Sequence, residues 1–318
     1  MNKLQRTICT MVYSLFIMNS LLWMPSSHAR EIITPLPIYI DYDRQKAHIG
    51  KVLFSDPILS KDGSVSCHSC HDLQSGGGDT RKVSIGIKGS KGHIQSPTVL
   101  NSRYNFKQFW NGRAETLFAQ ANSPIHDPEE MGMNVSEVEQ RINTSAKYKT
   151  LFSSLHQGHI SFNLIIECIV EFEKALVTPN SRFDRYLRGE LTLTLPEYAG
   201  FQAFKELGCI TCHNGINIGG NSFQKIGVII PYHFSTNYPD LYSVTKKEYH
   251  KNVFKVPTLR NIALSAPYFH DGSALTLEDA IKAMGKHNLG HILRQKKIAE
   301  IKAFLESLTG ETPAIIMD

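Results

Sequence analysis

Cysteine and tryptophan are scarce in this chain of 318 residues, with six of the first and two of the second. So few thiols exclude a disulfide-rich scaffold, and the fold must rest on a hydrophobic core. No block of like charge is present that would act as an interaction tail, and a net charge of +5 gives no reason to expect a nucleic-acid partner. Long apolar runs are also missing after the first residues. What remains is an ordinary globular composition, in a chain long enough for two domains.

The exception lies at the N-terminus. Lys3 and Arg6 precede an apolar run from Ile8 to Met24, and Ser27-His28-Ala29 puts small residues where a signal peptidase cuts. An uncleaved anchor is the competing reading, since about 20 apolar residues span a bilayer. Thr10, Ser14 and Asn19 interrupt the run and Pro25 closes it, so residues 1–29 are read as a signal peptide, with periplasmic export and no stable membrane insertion after cleavage. Cleavage removes Cys9 and lowers the net charge from +5 to +3.

Four of the remaining cysteines fall in Cys67-His68-Ser69-Cys70-His71 and Cys209-Ile210-Thr211-Cys212-His213. Both are C-x-x-C-H, the pattern in which two thiols add to porphyrin vinyl groups and the adjacent imidazole binds the iron. A shared four-cysteine zinc site would bring the pairs within about 15–20 residues of one another, and a disulfide inside each pair suits an oxidising compartment. Either alternative leaves both histidines unexplained, so two covalent haem c groups are expected. Cys168 lies on the apolar face of a helical pattern and is read as a buried, inert thiol.

Helical spacing is clear from Ser161 to Val177, and Pro196 to Leu207 leads into the second motif. Thr276 caps a helix carrying Leu277, Ile281 and Met284, and a last helix gathers Ile298, Ile301, Phe304, Leu305 and Leu308. A short helix from Asp43 to Phe54 precedes the first motif, while Gly76 to Lys107 and residues 209–257 read as long loops. A Phe-bearing helix before each motif is a faint internal repeat. The expected fold is mainly α: two cytochrome-c-like haem domains, residues 30–190 and 191–318, with long loops.

Each motif supplies one axial ligand, so the chemistry depends on what occupies the other face of each iron. Met284 is the candidate thioether for the second haem, although a Met at helical spacing is more often core packing. Beyond this the chain resembles the bacterial di-haem cytochrome c peroxidases and MauG. The matching stretches are Leu53-Phe54-Ser55-Asp56-Pro57, Ser96-Pro97-Thr98-Val99-Leu100-Asn101, Phe109-Trp110-Asn111-Gly112-Arg113-Ala114, Glu130-Met131-Gly132, Val256-Pro257-Thr258-Leu259-Arg260-Asn261 and Pro267-Tyr268-Phe269-His270-Asp271-Gly272.

The resemblance implies an N-terminal haem that reduces hydrogen peroxide and a C-terminal high-potential haem fed by a small donor, a cytochrome c or a cupredoxin. It implies His71 and His213 as proximal ligands, Met284 as the distal ligand of the second haem, Gln120 and Glu130 as the catalytic pair over the first, and Trp110 between the haems. It also implies calcium held by Gln95, Ser265 and Pro267, and a homodimer. Many of these peroxidases carry a His that blocks the first iron until the second is reduced. Ile87 stands at that place, which predicts a first haem open without reductive activation, while His93 further along reads as a solvent-facing loop residue. A MauG-like oxidase acting on a partner protein is the alternative, though MauG has Tyr where this chain has Met284. A non-catalytic electron carrier would need distal ligands on both irons.

Overall fold

The computed structural model describes residues 32–233 and 238–317. The signal peptide assigned to residues 1–29 lies outside the described residues. The Asp43 carboxylate accepts from the amides of Gln45 and Lys46 and so opens helix α1, Arg44–Ser55. In chain order follow α2 (Leu117–His126), α3 (Val135–Thr144), α4 (Ala146–Phe152), α5 (Phe162–Ala175), α6 (Arg182–Leu187), α7 (Leu195–Glu206), α8 (Leu241–Thr245), α9 (Leu277–Leu289), α10 (Gln295–Glu306) and α11 (Ala314–Met317). The fold is mainly α, as expected. Loops read from sequence after the second motif contain a small antiparallel pair, β1 (Phe223–Lys225) with β2 (Val253–Lys255).

Two helix crossings organise the molecule. At Gly50 of α1, an added Cβ would lie 1.9 Å from the Cys168 carbonyl oxygen of α5 and 2.9 Å from Cβ of Phe172. At Gly200 of α7, the same atom would meet the Glu300 oxygen of α10 at 1.9 Å and Cβ of Phe304 at 2.8 Å. Only glycine permits such backbone approach. Each crossing anchors a hydrophobic core: Leu53, Phe54, Ile165, Ile169 and Phe172 belong to one, Phe201, Phe204, Ile301, Phe304 and Leu305 to the other. Cys168 is fully buried in the first core, and burial pushes its thiol up to about 12.

The faint repeat is an extensive internal duplication. Phe54 lies 6.5 Å from the His71 ring and 5.2 Å from Phe172, while Phe204 lies 6.4 Å from His213 and 5.1 Å from Phe304. The amide of Gln108 bonds the Ala114 carbonyl at 2.8 Å, and that of Tyr268 bonds Ala274 at 2.8 Å. Phe109 and Phe269, one residue on, both have positive φ, 66° and 70°. Thr116 and Thr276 then cap α2 and α9 through their hydroxyls. The halves meet at Thr178, whose hydroxyl accepts from the side-chain amides of both Asn101 and Asn261 at 2.8 Å.

The polar stretch at 180–195 holds α6, whose Phe183 is buried in the second core. Asp184 next to it forms a fully buried pair with Arg260, at 2.9 Å. Arg260 also donates to the Thr34 carbonyl, and Asp184 accepts from the Leu36 amide, which ties the N-terminal strap to this core. Ile315 near the other terminus packs into the first core.

Candidate functional site

Both C-x-x-C-H motifs start in a single 3₁₀ turn, Cys67–Ser69 and Cys209–Thr211. In each, the histidine amide bonds the first cysteine's carbonyl at 3.0 Å, which brings two thiols and one imidazole to the same side of the chain. The two sites share one continuous cavity: Cys67, Cys70, His71, Cys209, Cys212 and His213 all line it. None of the four cysteines forms a disulfide. Among the described residues no group of three or more His, Cys, Asp or Glu side chains converges as a metal cluster, so the cysteine pairs do not combine into a zinc site. An apolar-walled space with free thiols at an imidazole fits covalently held haem.

Burial keeps both imidazoles neutral, lowering His71 below its ordinary value and His213 to about 4. A neutral ring is the form that binds iron. Nδ1 of His71 lies 3.3 Å from the Gly77 carbonyl, a contact that puts the proton on Nδ1 and leaves Nε2 to face a metal.

The duplication distinguishes the two far faces. Counted from their Thr caps, α2 and α9 place Gln120 opposite Ala280 and Pro124 opposite Met284, and all four line the cavity. The thioether in one half therefore has a ring without a ligand atom as its counterpart in the other. Pro124 also removes the amide that would bond the Gln120 carbonyl inside α2. Sequence inspection missed Pro124, and the offset between the repeats was the signal that could have found it.

Glu130 lies past α2 on the cavity wall, where its backbone side is open to solvent and its carboxyl is surrounded by protein atoms. Burial of its carboxylate, with Asp127 nearby, raises it above the ordinary carboxyl range, and Arg113 partly offsets this. The loop carrying Ile87 packs behind this segment: the Ile87 amide bonds the Glu130 carbonyl at 3.0 Å, and a Cβ on Gly132 would meet Cδ1 of Ile87 at 2.6 Å. Ile87 is buried there and is not among the cavity-lining residues. His93 lines the cavity but is exposed, with Nε2 3.1 Å from a Glu129 carboxylate oxygen.

Trp110 sits where the halves interlock. Its indole donates to the Gln95 carbonyl at 2.8 Å, its own carbonyl accepts from the Lys255 amide at 2.7 Å, and its ring lies edge-on to His270 at 6.1 Å. Gln95 is buried, with its amide nitrogen on the Asp79 carbonyl at 3.1 Å, and it lines the cavity together with Ser265 and Pro267. The carbonyls of Ser265 and Pro267 accept no backbone hydrogen bond among the described residues. Lys255, also missed from sequence, is buried in the same wall, and desolvation lowers its ammonium to about 8.

Comparison with known proteins decides what this arrangement belongs to. The family model for di-haem cytochrome c peroxidase matches residues 44–192. The cytochrome c551 peroxidase of Nitrosomonas europaea is 43% identical over 90% of this chain and 86% of its own. The chain belongs to the di-haem cytochrome c peroxidase family. The cytochrome c551 peroxidase of Pseudomonas aeruginosa is 38% identical, over 85% of this chain and 80% of its own. A crystal structure of a MauG-like protein associated with microbial copper homeostasis superposes with a TM-score of 0.78 at 28% identity, covering 91% of this chain and 96% of that one. The chain is thus an oxidoreductase acting on peroxide, with haem c as the cofactor its family implies. Among its described residues, no helix of this peroxidase is long and apolar enough to cross a membrane.

Proposed function

We propose that this peroxidase works in the periplasm, reducing hydrogen peroxide to water at the haem held by Cys67, Cys70 and His71. Cys209, Cys212 and His213 would hold the second haem, the group that would supply the entry point for electrons from a cytochrome c or a cupredoxin. When bound, the irons supply the electron transfer, and the residues around them set what each does. The observation that carries this is the register of α2 against α9, with Pro124 where the other half has Met284. Met284, on the cavity wall of the second half, would offer a thioether to a haem held there, which would favour the reduced state and suit an entry site. That ligand also argues against the protein-oxidase alternative, since MauG has Tyr there.

At the first face Gln120 orients peroxide by hydrogen bonding without adding charge. Glu130 moves a proton from one peroxide oxygen to the other as the O–O bond breaks, a task that favours a carboxyl with a raised pKa. Trp110, packed against both halves, relays electrons between them. With Ile87 buried behind the Glu130 segment and lacking any ligand atom, the site is ready in the oxidised state. Gln95, Ser265 and Pro267 offer one amide and two free carbonyls, hard oxygen donors that suit calcium.

Glu130→Gln is the direct test. Peroxide turnover should fall by a factor of about 10²–10⁴, the usual contribution of a general acid–base group, while both haem spectra stay unchanged. Normal turnover would remove Glu130 from the mechanism.

A further inference from the structure

Glu173 is a buried carboxyl that the peroxide chemistry above does not use. It lies one turn beyond Ile169 on α5, and both line the cavity with Phe54 and Cys67, beside the first haem position. The residue is 4% exposed, and its Oε2 has no hydrogen-bond partner. The cations of neighbouring elements are directed elsewhere. Lys46 of α1 pairs with Glu167, Lys174 pairs with Glu171, and Arg103 donates to the carbonyls of Asp41 and Lys174. His126 of α2 contacts the Met133 carbonyl, and Arg141 of α3 bonds the carbonyls of Ile58, Ser60 and Lys61. Arg44 and His48 of α1 are exposed and Lys51 is half-buried. Among the described residues, Cys67 interacts electrostatically with Glu173, and His71 and Glu130 line the same cavity.

The duplication shows that packing does not demand a carboxyl here. The crossings match Cys168 with Glu300 and Phe172 with Phe304, so Glu173 matches Leu305, which is buried and lines the same cavity at the second haem position. One half fills the position with a leucine. The other holds an acid group buried with no hydrogen-bond partner on Oε2, which is unfavourable for folding.

We propose that Glu173 is a proton acceptor coupled to the redox state of the first haem, taking one proton from solvent when that haem gains an electron and releasing it when the electron leaves. The proposal rests on a haem at His71 and not on peroxide turnover. The physical cause is Coulombic: an electron added nearby in a low-dielectric interior raises the carboxylate's affinity for a proton. Burial alone already pushes this carboxyl up to about 8, so the group can change protonation near neutral pH. The coupling matches the reaction's demand, since H₂O₂ + 2e⁻ + 2H⁺ gives 2H₂O and a proton stored with an electron can be delivered with it.

The test is an anaerobic potentiometric titration of the two-haem protein at several pH values between about 6 and 9. Glu173→Gln and Glu173→Leu are run beside the wild type, the leucine variant copying the second half and serving if the glutamine variant folds poorly. In the wild type the first-haem potential should fall as pH rises. In either variant it should be flat over the same range, with the second-haem potential unchanged. A reduced-minus-oxidised infrared difference spectrum should contain a protonated carboxyl band that both variants lose. A pH-independent wild-type potential, or a slope and band that persist in the variants, overturns the proposal. Absence of the first haem's absorption would instead count against the haem reading itself.

Discussion

At the scale of single residues, several substitutions between the repeats separate two sites of similar construction. Met284 and Pro124 occupy matching places on α9 and α2, and only the methionine carries a ligand atom. Met284→Leu keeps the bulk and removes the thioether, so the second haem should lose potential by on the order of 0.1 V, within the roughly 0.8 V that axial ligands span. A redox titration checks this, and reduction by the physiological donor should weaken in parallel. The two C-x-x-C-H motifs were legible in the sequence because each is contiguous. Pro124, Lys255 and Glu173 were not, because a proline, a lysine or a glutamate acquires meaning only from the cavity wall it joins and from its counterpart in the other half.

At the scale of elements, the crossings of α1 with α5 and α7 with α10 fix where each motif begins. Gly50→Ala would drive a methyl to 1.9 Å from the Cys168 carbonyl oxygen, and Gly200→Ala would do the same at Glu300. Neither backbone can yield without separating its core, so each variant should lose at least the ~1–3 kcal/mol typical of overpacking, read as a lower midpoint in thermal unfolding. Helices α5, α7, α9 and α10 were readable from periodicity, since each buries one broad apolar stripe in a core. Helix α2 was obscured by its internal Pro124. The strands β1 and β2 are three residues each and are separated in sequence by a segment that includes α8, so no local alternation announces them.

At the scale of the whole molecule, two cores of similar construction enclose one cavity. They are fastened at Thr178, where Asn101 and Asn261 share a hydroxyl, and by straps at both termini. The arrangement puts both C-x-x-C-H motifs on one interior with Trp110 where the halves interlock, which suits the proposed two-site electron path to peroxide. The central proposal is that the first site is open before any electron arrives, because Ile87, at the place where the resemblance puts a blocking His, is buried and carries no ligand atom. The most direct measurement is stopped-flow mixing of the fully oxidised protein with hydrogen peroxide and reduced cytochrome c, beside a sample reduced beforehand. The account predicts turnover without a lag and at equal rates in both samples. Turnover confined to the pre-reduced sample, together with a low-spin bis-histidine spectrum for the oxidised first haem, would contradict it.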